Sequence, residues 1–120
     1  MLAAHARIAS RHVLGARPAL LGARQASGIV RLGTDDPRMS KIVVHSGLVY
    51  TSGQTAADSG DTVEVQTAAV LDKVDALLKE AGTDKSRALN ATIWLKDIAA
   101  DFKGMNGVSL GCARVLSAGI

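Results

Sequence analysis

Between Thr62 and Ala81 apolar residues recur every three or four positions, at Val63, Ala69 or Val70, Val74, Leu77, Leu78 and Ala81. That spacing predicts one amphipathic helix of about 20 residues. Asp61 or Thr62 can cap its start, Glu64 suits the first turn, and Gly82 can end it. Gln66, Asp72, Lys73, Asp75 and Lys79 fall on the other faces and are expected to be solvated. β-rich segments flank this helix on both sides. A lone helix with one apolar stripe must bury it against a sheet, so the chain is constrained to a layered α+β fold.

The strands are legible from period and punctuation. Ile29–Leu32 is a short candidate. Lys41–His45 and Leu48–Ser52 are β-branched runs separated only by Ser46-Gly47, which predicts a hairpin with a tight two-residue turn. Gly33–Pro37 and Ala56–Asp61 read as loops. From Ala88 to Lys96 the alternation puts Leu89, Ala91, Ile93 and Leu95 on one face, and Asn90, Thr92, Trp94 and Lys96 on the other. Asp97 is placed to cap a short helix containing Ile98, Ala99, Phe102 and Met105. The order β-β-α-β-α puts helices on one face of the sheet.

Charge is unevenly spread over the 120 residues. The net charge is +3, yet Arg7, Arg11, Arg17 and Arg24 all precede the first acid, Asp35. Setting those four aside leaves ten Lys and Arg against eleven acids, a net of −1. The basicity therefore belongs to a leader, residues 1–27, rich in Ala, Leu and Arg and free of acids. Arginines interrupt every apolar run there, which excludes a secretory signal and fits a mitochondrial presequence that forms a basic amphipathic helix. The matrix is the expected address, with cytoplasm or plastid as rivals, and Arg24 places cleavage near Gln25. No apolar run approaches the ~20 residues that span a bilayer. A near-neutral domain argues against nucleic acid as partner. The single cysteine, Cys112, rules out an intrachain disulfide and a Cys-based metal site. His5, His12 and His45 lack metal-ligand spacing.

Ser52-Gly53-Gln54 is where chemistry is most plausibly seated. Gly53 lets the backbone bend at a strand end, and Ser52 and Gln54 offer hydrogen-bonding groups there. Taken alone, the motif reads equally well as an ordinary β-turn.

The segments Leu48-Val49-Tyr50-Thr51-Ser52-Gly53-Gln54 and Thr92-Ile93-Trp94-Leu95-Lys96-Asp97, with the helix between them, resemble the RidA/YjgF family from about Pro37 to Asn106. The resemblance implies a chorismate-mutase-like α+β sheet with helices on one face, and a homotrimer with ligand clefts between subunits. It also implies hydrolysis of reactive enamines and imines to 2-oxo acids and ammonia, without a cofactor. Ser52 and Asn106 match the family's substrate-binding serine and asparagine, the ligand being a small 2-imino or 2-oxo acid. The alternative is a small-ligand-binding or regulatory member without catalysis, or an inactive fragment.

Two departures bear on activity. The family's Gly-Pro-Tyr segment is replaced here by Pro37-Arg38-Met39-Ser40, without the tyrosine. Beyond Asn106, family members continue into two more strands with an Arg-x-Cys-Val-Glu type motif, whose arginine grips the substrate carboxylate in a two-pronged contact. Here the chain reads Gly107 to Ile120, and Arg114 follows the cysteine in Cys-Ala-Arg, so no catalytic residue is assigned. Val108-Ser109 is what the splice-donor sequences GTGAGC and GTGAGT encode. Residues 28–106 thus read as a partial family domain, incomplete at its C-terminus, and residues 107–120 as a divergent tail with translated intron as the expected origin. Losing two strands removes about six to eight buried side chains at ~1.5–3 kcal/mol each. That is on the order of a whole domain's stability, ~5–15 kcal/mol, so poor folding is expected.

Overall fold

A computed structural model describes residues 7–11 and 28–112 of the chain. The elements run β1 (Arg7–Arg11), β2 (Ile29–Leu32), β3 (Ile42–His45), β4 (Leu48–Thr51), α1 (Val63–Glu80), β5 (Ala88–Thr92) and α2 (Ile98–Cys112). The strands form one sheet in the order β2-β3-β4-β1-β5, with every neighbouring pair antiparallel. The architecture is α+β, as the periodicity predicts.

The hairpin is set by its turn. Ser46 (φ 50) and Gly47 (φ 76) both lie in the left-handed region, the conformation whose twist matches that of the strands it joins. Pairing then runs outward from His45↔Leu48 to Ile42↔Thr51. Ile42, Val44, Val49 and Thr51 share the face toward α1, and Ile42 and Val49 are fully buried.

α1 begins at Thr62, whose hydroxyl accepts from the Val65 amide, and ends where Gly82 N–H donates to Lys79 O and Thr83 N–H to Leu78 O. Its buried stripe is Val63, Val70, Val74, Leu77 and Leu78. These join Ile42, Val49, Ala56 and Ala81 in the core. At ~1.5–3 kcal/mol per fully buried aliphatic side chain, this layer contact is the main stabiliser of the fold. α2 is capped by Asp97, whose Oδ1 accepts from the amides of Ala99 (3.0 Å) and Ala100 (3.2 Å). It packs along α1 at Gly104, where a Cβ would come within 2.7 Å of a Val63 methyl, so only glycine fits the approach.

Four features differ from the sequence reading. The leader was expected as a helix outside the domain, whereas Arg7–Arg11 is a strand between β4 and β5; residues 12–27, including the expected cleavage site, lie outside the described residues. Second, α2 runs to Cys112 and crosses the expected boundary after Asn106.

Third, the alternation of β5 breaks at Leu89. Ala9 pairs with Asn90 but Ser10 with Ala88, so Leu89 is an extra residue in a bulge. A bulge shifts the facing by one, so Leu89 is 59% exposed while Ala88 and Ala91 pack against the core.

Fourth, Gln66 is buried, not solvated. Its Nε2 donates to Gly60 O, which ties the first turns of α1 to the preceding loop. Gln66 Oε1 and the buried Thr67 Oγ1 have no hydrogen-bond partner among the described residues.

Candidate functional site

β4 stops at Thr51, but the hairpin continues for one more bond: Ser52 N–H donates to Lys41 O at 2.8 Å. This follows from the register, because counting outward from Ser46-Gly47 places position 41 opposite position 52. The chain then turns. Gln54 Nε2 donates to Ser52 Oγ at 3.0 Å and to Ser52 O at 3.2 Å. From α1, Lys73 Nζ donates to Thr55 O at 2.6 Å. Ala56, buried against the core, anchors the far end. The Ser52–Thr55 turn is thus held from β3, from within, and from α1. It presents a half-buried hydroxyl with an ammonium group on its flank.

The loop between β2 and β3 leads into the same place through Lys41. Lys41 N–H donates to Gly33 O at 3.1 Å, and Met39 N–H to Asp36 O at 3.1 Å, which folds Asp36–Met39 into a turn. Arg38 forks onto Asp36, with Nε 3.0 Å from Oδ1 and Nη2 2.7 Å from Oδ2. That guanidinium holds the Asp36 carboxyl below the usual carboxylate range, and the carboxylate in turn raises Arg38. Lys41 Nζ lies 3.0 Å from Asp35 Oδ2, whose hydrogen bond and charge raise the lysine. Asp35, Arg38 and Lys41 are exposed and Asp36 is half-exposed, a setting in which such pairs contribute little to stability. Arg38 and Lys41 already have carboxylate partners, whereas Lys73 is bonded to a carbonyl.

Of the two positions expected to bind substrate, Ser52 stands in this turn and Asn106 stands half-buried on α2. No hydrogen bond joins them among the described residues. Pro37-Arg38-Met39-Ser40 falls in the turn before β3, as a surface segment. His45 is exposed at the hairpin end, its Nδ1 3.3 Å from Ser46 Oγ. No group of three or more His, Cys, Asp or Glu suited to a metal occurs among the described residues. No helix there is long and apolar enough to cross a membrane.

Sequence reasoning missed Lys41 and Lys73 as neighbours of Ser52. Lys41 could have been found by counting the hairpin register. Lys73 carried no signal, since its partner Thr55 is 18 residues away across a loop.

Comparison with known proteins gives a consistent picture. The family model described as Endoribonuclease L-PSP matches residues 35–115, which reaches past Asn106. A RutC family protein of Haemophilus ducreyi is 38% identical over 69 residues, covering 58% of each chain. The RutC family protein YoaB of Escherichia coli is 40% identical over 78 residues, 65% of this chain and 66% of that one. A Lactococcus lactis protein provisionally named as the regulator AldR is 36% identical over 69 residues, 52% of this chain and 54% of its own length. The chain spans less than two thirds of the length of each of these relatives.

Proposed function

Because the chain belongs to the RidA/YjgF family, described as Endoribonuclease L-PSP, we propose that it binds small 2-imino and 2-oxo acids at the Ser52 turn and hydrolyses the imines. The carrying observation is the turn itself, in which an oriented hydroxyl and the Lys73 ammonium flank one short stretch of fixed backbone. A 2-imino acid offers a carboxylate for the cation and a polar C=N group for the hydroxyl. Hydrolysis adds water to the electrophilic imine carbon, and the resulting carbinolamine expels ammonia to leave the 2-oxo acid. Positioning the acid and a water is most of what such a reaction demands. In the family-like arrangement the cleft is shared between subunits of a trimer, and Asn106 enters it there. The acid-free leader supports a mitochondrial address.

The test is release of ammonia and of semicarbazide-trapped 2-oxo acid from freshly generated 2-iminopropanoate, with an intact paralogue as positive control. Loss of the signal in Ser52→Ala supports the site; a rate equal to the uncatalysed one rejects the activity.

A second reading, ligand binding without catalysis, is favoured by the name of the Lactococcus lactis relative. It predicts that 2-oxo acids bind while the half-life of the imine is unchanged. RNA is not the proposed substrate, because outside the leader the chain's net charge of −1 offers little attraction to phosphate.

A further inference from the structure

The segment that leaves the Ser52 turn is fastened to α1 at both ends. Lys73 Nζ donates to Thr55 O, and Gln66 Nε2 donates to Gly60 O. The two side chains stand seven positions apart, which is two helical turns. They therefore rise from one face of α1, about 10 Å from each other along its axis. Between the fastenings Ala56 is buried in the core, and Ser59 N–H donates to Ala56 O at 3.0 Å, closing the 3₁₀ turn Ala57–Ser59. From Ser52 to Gly60 the chain is one continuous strap, bound to α1 at Thr55, pinned at Ala56 and bound again at Gly60.

The far fastening is built for close approach. Gly60 has a φ of 139°, which L side chains rarely adopt, and a Cβ there would meet Val65 Cγ1 at 2.9 Å. Gln66 is itself set by the first turn of α1, where its N–H donates to Thr62 O at 3.1 Å.

Stability does not account for this glutamine. Gly60 is exposed, so water can serve its carbonyl. Gln66 is 4% exposed, and its Oε1 has no partner among the described residues. One hydrogen bond adds little net stability, and a buried acceptor without a donor lowers it. An apolar side chain of like shape would seat α1 on the core at least as well. It would not hold Gly60.

We infer that Gln66 is a positioning residue for the Ser52 turn. By holding the far end of the strap it fixes the path from Thr55 to Gly60, and with it the Gln54 amide that orients the Ser52 hydroxyl. The consequence for 2-oxo acid binding rests on the proposed function; the consequence for the turn does not.

Gln66→Met and Thr67→Val, made in the full chain, separate position from stability. Each replaces a buried side chain, whose oxygen has no partner among the described residues, by an apolar one of like shape. Of the two, Gln66 is the one that binds the strap. Gln66→Met is expected to keep or raise the urea midpoint while shifting the Gln54 side-chain amide resonances. It also weakens pyruvate binding about threefold or more, within the range of one net hydrogen bond. Thr67→Val leaves the Gln54 resonances and the affinity as they are. A lowered midpoint in Gln66→Met, unfolding included, overturns the role. So do unshifted Gln54 resonances, an unchanged affinity, or an equal effect in Thr67→Val. If the wild-type chain binds no pyruvate, the proposed function falls, and the midpoint and the Gln54 resonances decide the role of Gln66 by themselves.

Discussion

Gln54 donates to the Ser52 hydroxyl at 3.0 Å while also donating to the Ser52 carbonyl at 3.2 Å, so one amide fixes both the turn and the direction of the hydroxyl. A serine oxygen that accepts this bond still has its own O–H to donate. Ser52→Ala is therefore expected to weaken 2-oxo acid binding about five- to tenfold, the equivalent of one net hydrogen bond of ~1–1.5 kcal/mol. Gln54→Ala, which frees the rotor without removing it, weakens binding less. Isothermal titration with pyruvate measures both, and unchanged affinity in Ser52→Ala would remove this turn from the site.

Two leucines separate core from edge. Leu78 is fully buried between α1 and the sheet, whereas Leu89 is turned outward by the bulge in β5. Leu78→Ala is expected to cost ~2–5 kcal/mol, and Leu89→Ala less than about 0.5 kcal/mol. Urea titration of both variants checks the order. A large loss at Leu89 would mean that the bulge is misplaced.

The contrast also shows which features a sequence can disclose. Thr62, Gly82, Asp97 and the Ser46-Gly47 turn act within a few residues of themselves, so both ends of α1, the start of α2 and the hairpin register could be read locally. The bulge at Leu89 is set by pairing with Ser10 and Ala9, some eighty positions away, and no local pattern encodes it. The same holds for β1. Arg-Ile-Ala-Ser-Arg has no strong strand period, and its basic surroundings point to an address. Gln66 looked solvated because glutamine is usually exposed; its burial depends on Gly60 O, beyond the helix start. Of the site, Ser52 and Gln54 came from the motif, Ser52 also from the resemblance, and their setting beside Lys41 and Lys73 came from the fold.

Ser46 occupies a left-handed position (φ 50) that serine tolerates poorly. Asparagine is favoured there ahead of glycine. Ser46→Asn is expected to stabilise the chain by about 0.5–1 kcal/mol, seen as a higher urea midpoint with unchanged slope. A lower midpoint would mean that the His45–Ser46 side-chain contact outweighs the backbone gain.

Asp84 sets the entry to β5. Its Oδ1 accepts from the hydroxyl and, at 2.8 Å, from the amide of Ser86, and these bonds, helped by the charge of Arg87, hold its carboxyl below the ordinary aspartate value of 3.8. A carboxyl with a lowered folded-state pKa stabilises the fold above its unfolded value. That contribution disappears as the pH falls through the lowered one. The group is fully exposed, so the effect is local. NMR titration should show the Asp84 carboxyl protonating below 3.8 and the Ser86 amide losing its bond over the same range. Asp84→Asn should abolish the response, and an Asp84 midpoint at or above 3.8 would dispose of the cap.

Assembly follows from the sheet. Residues 28–120 lack β1, so β4 and β5 each keep an unpaired row, beside a surface that already exposes Tyr50, Leu89 and Trp94. Unpaired strands next to exposed large side chains pair indiscriminately with other copies. The segment 28–120 alone is thus expected to give heterogeneous aggregates instead of a discrete trimer. The same segment extended by the family's two C-terminal strands is expected to trimerise. Light-scattering mass on both forms measures this. A clean trimer from 28–120 would show that the interface needs neither the leader strand nor the added ones.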